Sequence, residues 1–224
     1  MIINLGSIVK TLVDNAKAGN VYLIEKTSYE QELIDHFLDF DERGRYLRFG
    51  QQISNAGIEQ YVKKFIKPED KILAIFNNKG KIVAAVHMGK DGFDPDGYEL
   101  GLSVSNSCRE KGFGSKIFSK GIEVANALGA KRIYTYCLTE NKAMQALAKK
   151  HNLKIVLDHG DYIGKMEIEK DNIAEILNDV AAFFTSNQIM IIDKVMHDLI
   201  KSYLEQFSKF EQIAKSYNEN LKAV

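Results

Sequence analysis

A chain of 224 residues with 45% hydrophobic and 27% charged side chains has material for one well-packed core plus an appendage, and that composition excludes wholesale disorder. Thirty basic and thirty acidic side chains cancel to zero formal charge, so no global field draws the chain to nucleic acid or anionic lipid, and neither is an expected partner. Cys108 and Cys137 are too few to staple a domain, the five histidines are scattered without metal spacing, and the start has neither a leader pattern nor a membrane-length apolar run; a cytoplasmic protein without a metal is expected.

Ile2, Leu5, Ile8, Val9, Leu12, Val13 and Ala16 recur at helical spacing and predict an N-terminal amphipathic helix within 1–19. Val21-Tyr22-Leu23-Ile24 reads as a short buried strand, and helical stretches are expected over about 29–40, 44–49 and 58–66 before Pro68. Lys71 to Phe76 and Lys81 to His87 are β-rich runs joined by Asn77-Asn78-Lys79-Gly80, which predicts a hairpin. Gly89 to Gly97 carries Asp, Gly and Pro and is expected to be an exposed, mobile loop. A strand at 98–104, a helix from Gly112 to about Leu128, a strand at 132–138, a helix at 141–150 and strands at 153–157 and 162–168 follow. A hairpin followed by strand-helix-strand-helix implies an α/β sheet of mixed direction. Beyond Lys170 only helical pattern remains, and Ile189, Ile192, Met196, Leu199, Tyr203, Phe210, Ile213 and Tyr217 form a heptad-like seam. The segment 171–224 therefore reads as a helical extension, which either folds back on the main domain or joins two copies through residues 187–221.

The turn Arg109-Glu110-Lys111-Gly112-Phe113-Gly114-Ser115 sits between a strand and a helix. Glycines at 112 and 114 let backbone approach a ligand, and a helix start offers free N–H groups and the positive end of its dipole. A diphosphate suits such a place, with Lys111, Ser115 and Lys116 able to add charge or a hydroxyl. Gly-x-Gly alone is also an ordinary tight turn, and Ile117 stands where a dinucleotide fingerprint needs its third glycine.

The strand, the Arg-x-x-Gly-x-Gly turn, the helix ended by Gly129, the strand from Arg132 and Asn141-x-x-Met144-x-x-Leu147-Ala148 together resemble the GNAT N-acetyltransferase superfamily, with some similarity to its bacterial protein-acetyltransferase branch. The resemblance covers 71–168, more loosely 20–70, and nothing beyond 170. It implies a GNAT acyl-CoA N-acyltransferase fold over 20–170, acetyl-CoA as co-substrate and a primary amine of a small molecule or protein lysine as acceptor. The pyrophosphate would lie on the amides of 110–115 beside Arg109, and the pantetheine arm would run as an extra strand beside Val104, with Asn141 close by. Asn141 also suits a helix N-cap.

By the same resemblance, Glu99 would take the amine proton and the Val104 N–H would face the developing oxyanion; strand alternation could instead turn Glu99 to solvent. Ala148 replaces the tyrosine that protonates the thiolate in many relatives, leaving water or Tyr136, and Asn152-Leu153 replaces Gly-Phe. Arg43, Arg45, Tyr46, Leu47, Arg48 and Phe49, beside Ser54, resemble a run that borders the acceptor side in that branch; the alternative is core aromatics and surface arginines. Ala148 and the heptad seam also support a second reading, a catalytically weak acyl-CoA-sensing module that self-associates through its C-terminal helices. A tRNA-acetylating role is disfavoured by the neutral charge.

Overall fold

The computed structural model describes residues 20–168. The expected N-terminal helix in 1–19 and the extension over 171–224, with its heptad seam, lie outside the described residues. Seven strands, β1 (Val21–Ile24), β2 (Lys71–Phe76), β3 (Ile82–Lys90), β4 (Gly97–Val104), β5 (Arg132–Leu138), β6 (Lys154–Asp158) and β7 (Asp161–Glu167), form one sheet in the order β1-β2-β3-β4-β5-β7-β6. Among the described residues five α-helices accompany it: α1 (Glu30–Leu38), α2 (Glu42–Phe49), α3 (Asn55–Gln60), α4 (Phe113–Ala127) and α5 (Lys142–Lys150). α3 runs directly into a π-helical turn, Tyr61–Phe65.

The hairpin between β2 and β3 is closed by the Asn77 side chain, whose Oδ1 accepts from the N–H of Lys79 at 2.9 Å and of Lys81 at 3.0 Å. Period-two alternation divides each central strand between two cores. Ile72, Ala74 and Phe76 face α1 and α3, where they meet Leu33, Phe37, Ile58 and Val62. Leu73 and Ile75 face the opposite side and pack with Leu100, Ile117, Phe118 and Ile133.

β4 and β5 are the parallel pair, and their register covers just Gly97↔Arg132, Tyr98↔Ile133 and Glu99↔Tyr134. The Thr135 hydroxyl then donates to the Leu100 carbonyl at 3.0 Å. Past that link the two strands are unpaired, and β5 continues its ladder with β7 instead. This opening positions the site.

The segment after β3 departs from the expected exposed loop. β3 extends to Lys90, and Asp91 is buried, accepting from the Tyr136 hydroxyl at 2.6 Å. The Asp94 carboxylate takes the Arg132 guanidinium and, at 2.8 Å, the Tyr134 hydroxyl. The Arg132 bond holds the Asp94 carboxyl well below the usual carboxylate range. Turn-forming aspartates signal a break in the strand, but their partners come from β5, far along the chain. The expected exposure holds at the tip, where Phe93 and Pro95 are left in solvent.

One buried polar residue links the layers. His36 of α1 donates from Nδ1 to the Ile82 carbonyl at 3.1 Å, which leaves Nε2, 2.9 Å from the Ser103 hydroxyl, as acceptor. Burial lowers its pKa to about 4. The native imidazole therefore stays neutral where the unfolded one, at about 6.5, binds a proton, so stability is present above that value and is lost as pH falls toward about 4. The expected loss is about 3 kcal/mol, seen as a falling urea midpoint between neutral and acid pH, with a shallower fall in the His36→Gln variant.

Candidate active site

The turn before α4 is shaped by backbone conformation. Glu110 at φ 60° and Gly112 at φ 83° are left-handed, and between them they reverse the chain into the helix. No side chain caps α4, and its first backbone bond runs from the Lys116 N–H to the Gly112 carbonyl at 3.0 Å. The N–H groups of Phe113, Gly114 and Ser115 therefore leave the helix end without intrahelical acceptors, along the positive end of the dipole.

A Cβ on Gly114 would meet Val104 Cγ2 and Leu102 Cδ2 at ordinary distances of 3.5 and 3.6 Å, so packing alone does not demand glycine. The atom would project into a cavity of about 470 Å³ lined by Val104, Arg109, Glu110, Gly112, Gly114, Ser115, Asn141 and Lys150. Arg109 reaches across to α2, its Nη2 near Gly44. Lys111 turns back to donate to the Ser107 carbonyl at 2.8 Å, the Lys116 side chain is exposed, and the Phe113 ring packs against the α4 core. The Ser115 hydroxyl is 3.0 Å from His151 Nε2, a neighbour that spacing in the sequence does not reveal.

Strand phase decides which amides β4 presents. Ser105 donates to the Val83 carbonyl at 2.9 Å, and the register pairs Ala85 with Ser103 and Ala84 with Val104. Antiparallel alternation makes 105, 103, 101 and 99 the residues bonded to β3 and turns the N–H and C=O of Leu102 and Val104 the other way, into the opening toward β5. An extended chain laid there would find a strand edge.

A second cavity, about 490 Å³, lies on the α2–α3 side and shares Leu47, Arg48, Leu102, Asn141 and Met144 with the first. Glu99 is in its wall, on the same strand face as Gly101 and Ser103. The carboxylate is reachable by solvent but surrounded by cavity wall. Burial raises its pKa, with Arg48 and His87 pulling the other way.

Asn141 caps α5 by accepting from the Met144 N–H at 3.1 Å and directs Nδ2 toward the Leu47 carbonyl at 3.5 Å, at the junction of both cavities. Tyr136 lines the second cavity, but its hydroxyl is committed to Asp91; burial and that bond push its pKa far up, which makes it a poor proton donor. Ala148 is fully buried, close to Leu153 and to Gly164, where an added Cβ would lie 3.3 Å from the Ala148 methyl. A tyrosine at 148 has no room in this packing.

Of the arginines of α2, Arg43 is exposed, whereas Arg45 and Arg48 are half-buried. Arg45 ties the helix to the carbonyls of Leu38 and Phe40 at 2.9 and 3.1 Å and to the Asn55 side chain at 2.8 Å. Arg48 lies over Gly101 in the second cavity. Its Nη2 donates to the Tyr61 hydroxyl at 2.8 Å; that hydroxyl is 2.9 Å from His87 Nδ1, and His87 Nε2 is 2.8 Å from Asp70. Burial pushes the Asp70 carboxyl up, but the bonds from His87 and the Lys67 N–H, with the charges beside them, together outweigh it and the net shift is downward. Sequence reading misses Tyr61, His87 and Asp70 because they come from a helical turn, a strand and a loop; the one hint is a histidine inside the apolar run of β3.

The model of the acetyltransferase (GNAT) family matches residues 29–152. The chain belongs to the GNAT acetyltransferase family. Its fold is similar to the GNAT domain of S. lividans PAT (17% identity, 66% of this chain and 89% of that one, TM-score 0.56). It is also similar to a GNAT acetyltransferase from Streptococcus pneumoniae (21% identity, 66% and 99% coverage, TM-score 0.51). A third similar structure is yncA from Salmonella typhimurium with its cofactor acetyl-CoA (14% identity, 68% and 95% coverage, TM-score 0.52). GNAT enzymes use acetyl-CoA as co-substrate, and the uncapped helix start, the space above Gly114 and the free edge of β4 fit a diphosphate followed by an extended amide arm. Among the described residues no helix is long and apolar enough to cross a membrane, and no cluster of His, Cys, Asp or Glu is placed to hold a metal ion.

The two glycines separate ligand space from backbone strain. Gly114→Val is expected to melt near the parent temperature yet weaken CoA binding by about tenfold or more in calorimetry. Gly112→Val, at a left-handed φ, is expected to cost about 1–2 kcal/mol of stability as well.

Proposed function

We propose that this GNAT protein transfers the acetyl group of acetyl-CoA to a primary amine, on a small molecule or a protein lysine, with Glu99 as general base. The observation that supports it most is the meeting of two cavities at the unpaired side of β4, one ending on the bare amides of α4 and the other holding Glu99. Acetyl-CoA, when bound, supplies an acyl group activated as a thioester. In this reading Arg109 and the amides of residues 110–115 hold the pyrophosphate, Leu102 and Val104 pair with the arm, and Asn141 borders it. The Val104 N–H points where a thioester oxygen gains charge, a place where a fixed donor contributes most. Glu99 receives the proton of the incoming amine, for which it must be ionised. With Ala148 enclosed and Tyr136 bound to Asp91, water in the open cleft protonates the departing sulfur.

Glu99→Gln is expected to lower kcat on an amine panel by about 10²- to 10⁴-fold while leaving CoA binding intact, since Glu99 is not in the wall of the first cavity. Because ionised Glu99 is needed and burial raises its pKa, wild-type kcat/KM should fall as pH drops, with an inflection above the ordinary carboxylate value that is missing in the variant.

A second reading, a catalytically weak acyl-CoA-sensing module, is favoured by the enclosed Ala148. It predicts CoA binding with thiol release no faster in wild type than in Glu99→Gln. In both readings residues 20–170 are the acyl-CoA-binding unit; in the second, the extension over 171–224 is its self-association element. Light scattering should show a dimer of the full chain and a monomer once that extension is removed; equal masses would refute the assembly role.

A further inference from the structure

The acceptor-side cavity has an uneven distribution of charge. Among the described residues, Arg48 is the cation in its lining, facing two carboxylates, Glu99 and Asp161. Arg48 takes part in none of the ion pairs of the described residues, which is unusual for a half-buried guanidinium. Among the described residues its Nε is buried without a partner, one Nη2 proton goes to Tyr61, and Nη1 makes no bond.

The group is held firmly, however. Its central carbon lies 5.6 Å from the ring centroid of Phe37, 5.2 Å from that of Phe49 and 5.5 Å from that of Tyr61. These rings fix a planar cation without neutralising it. Gly101 beneath it leaves the necessary room, since a Cβ there would be 2.7 Å from Nη2. A rigid guanidinium with spare, coplanar donors at the edge of a cavity is suited to a carboxylate.

Resting on the acetyl-transfer reading above, we propose that Arg48 is the specificity-determining residue of the acceptor cavity. It binds the carboxylate of a zwitterionic acceptor, a free α-amino acid with an apolar side chain, whose amine faces Glu99. Phe49, Ile53 and Phe65 supply the apolar walls for that side chain. The acceptor ammonium gives one proton to Glu99. Its nitrogen then forms the amide bond as the thioester C–S bond breaks, and the second proton it sheds reaches the departing sulfur through water. A lysine within a protein chain has no carboxylate next to its amine and would leave Arg48 unpaired, whereas a free amino acid satisfies both ends at once.

The test compares acceptors that differ by a carboxylate alone, L-leucine with isoamylamine and L-phenylalanine with phenethylamine. Wild type should prefer the amino acid in kcat/KM by about tenfold or more. Arg48→Gln should shrink that ratio by a similar factor, mainly through KM, and Arg48→Lys, which keeps charge but not the planar fork, should fall between. A wild-type ratio near unity, a lysine peptide used better than either amino acid, or an Arg48→Gln variant slowed equally with both members of each pair would overturn the proposal. Thermal melts and CoA calorimetry check that each variant is folded. If no amine is acetylated, calorimetric titration of L-leucine into the CoA-saturated protein decides alone: binding present in wild type and lost in Arg48→Gln supports the role, and absence of binding in wild type refutes it. Should CoA itself fail to bind, the acetyl-transfer reading falls, and the same titration of the free protein still reads Arg48 separately.

Discussion

The early end of the pairing between β4 and β5 is the constraint on which the functional geometry rests. A parallel pair that stops at Glu99 leaves the amides and carbonyls of Leu102 and Val104 unmatched on one side. In a closed sheet such groups would be a defect, because unpaired backbone is costly when buried. Here they border a cleft, and every other part of the site is organised around that edge. α4 starts at one end of it with its amides bare, α5 begins on its far side at Asn141, and Glu99 occupies the last paired position before it opens.

The cleft stays open because its two banks are fastened elsewhere. β4 is bound along its whole length to β3, and β5 along its whole length to β7. Asp91 and Asp94 reach from the β3–β4 connection to Tyr136, Tyr134 and Arg132, pinning the closed end of the fork. Each strand is held along its outer edge, so the two banks stay apart and the inner-edge groups of Leu102 and Val104 face the cleft. The opening is thus a property of the ladder rather than of a flexible loop.

Charge divides the cleft into two halves with different chemistry. The half under α4 offers N–H groups, a helix dipole and Arg109, all suited to phosphate. The other half, among the described residues, places carboxylates near the Arg48 guanidinium, with an Asp70–His87–Tyr61 chain of hydrogen bonds reaching it from behind. Three aromatic contacts, each worth about 0.5–2 kcal/mol, help to hold Arg48 where water and a carboxylate partner would otherwise do so. Tyr61 opens the π-helical turn, an irregularity that recurs at functional positions in helices.

Local features were legible in the chain itself. The hairpin, the alternation of β2 to β4, the glycine turn at 112–114 and the Asn141 cap all depend on a few neighbouring residues and their intrinsic conformations, so spacing alone revealed them, and the GNAT family followed from their order. What depended on distant partners was hidden. Two aspartates read as loop signals turned out to be anchors for β5, and arginines read as surface or acceptor-side were resolved into a structural tie, Arg45, and a cavity group, Arg48. His87 carries no message until Asp70 and Tyr61 arrive on either side of its ring. By itself the sequence determined the elements, their order and the glycine turn at 112–114, because propensity and periodicity act over a few residues. The tertiary structure alone decided where β5 parts from β4 and which charges face one another across the gap, because those contacts join residues that only the folded sheet brings within reach.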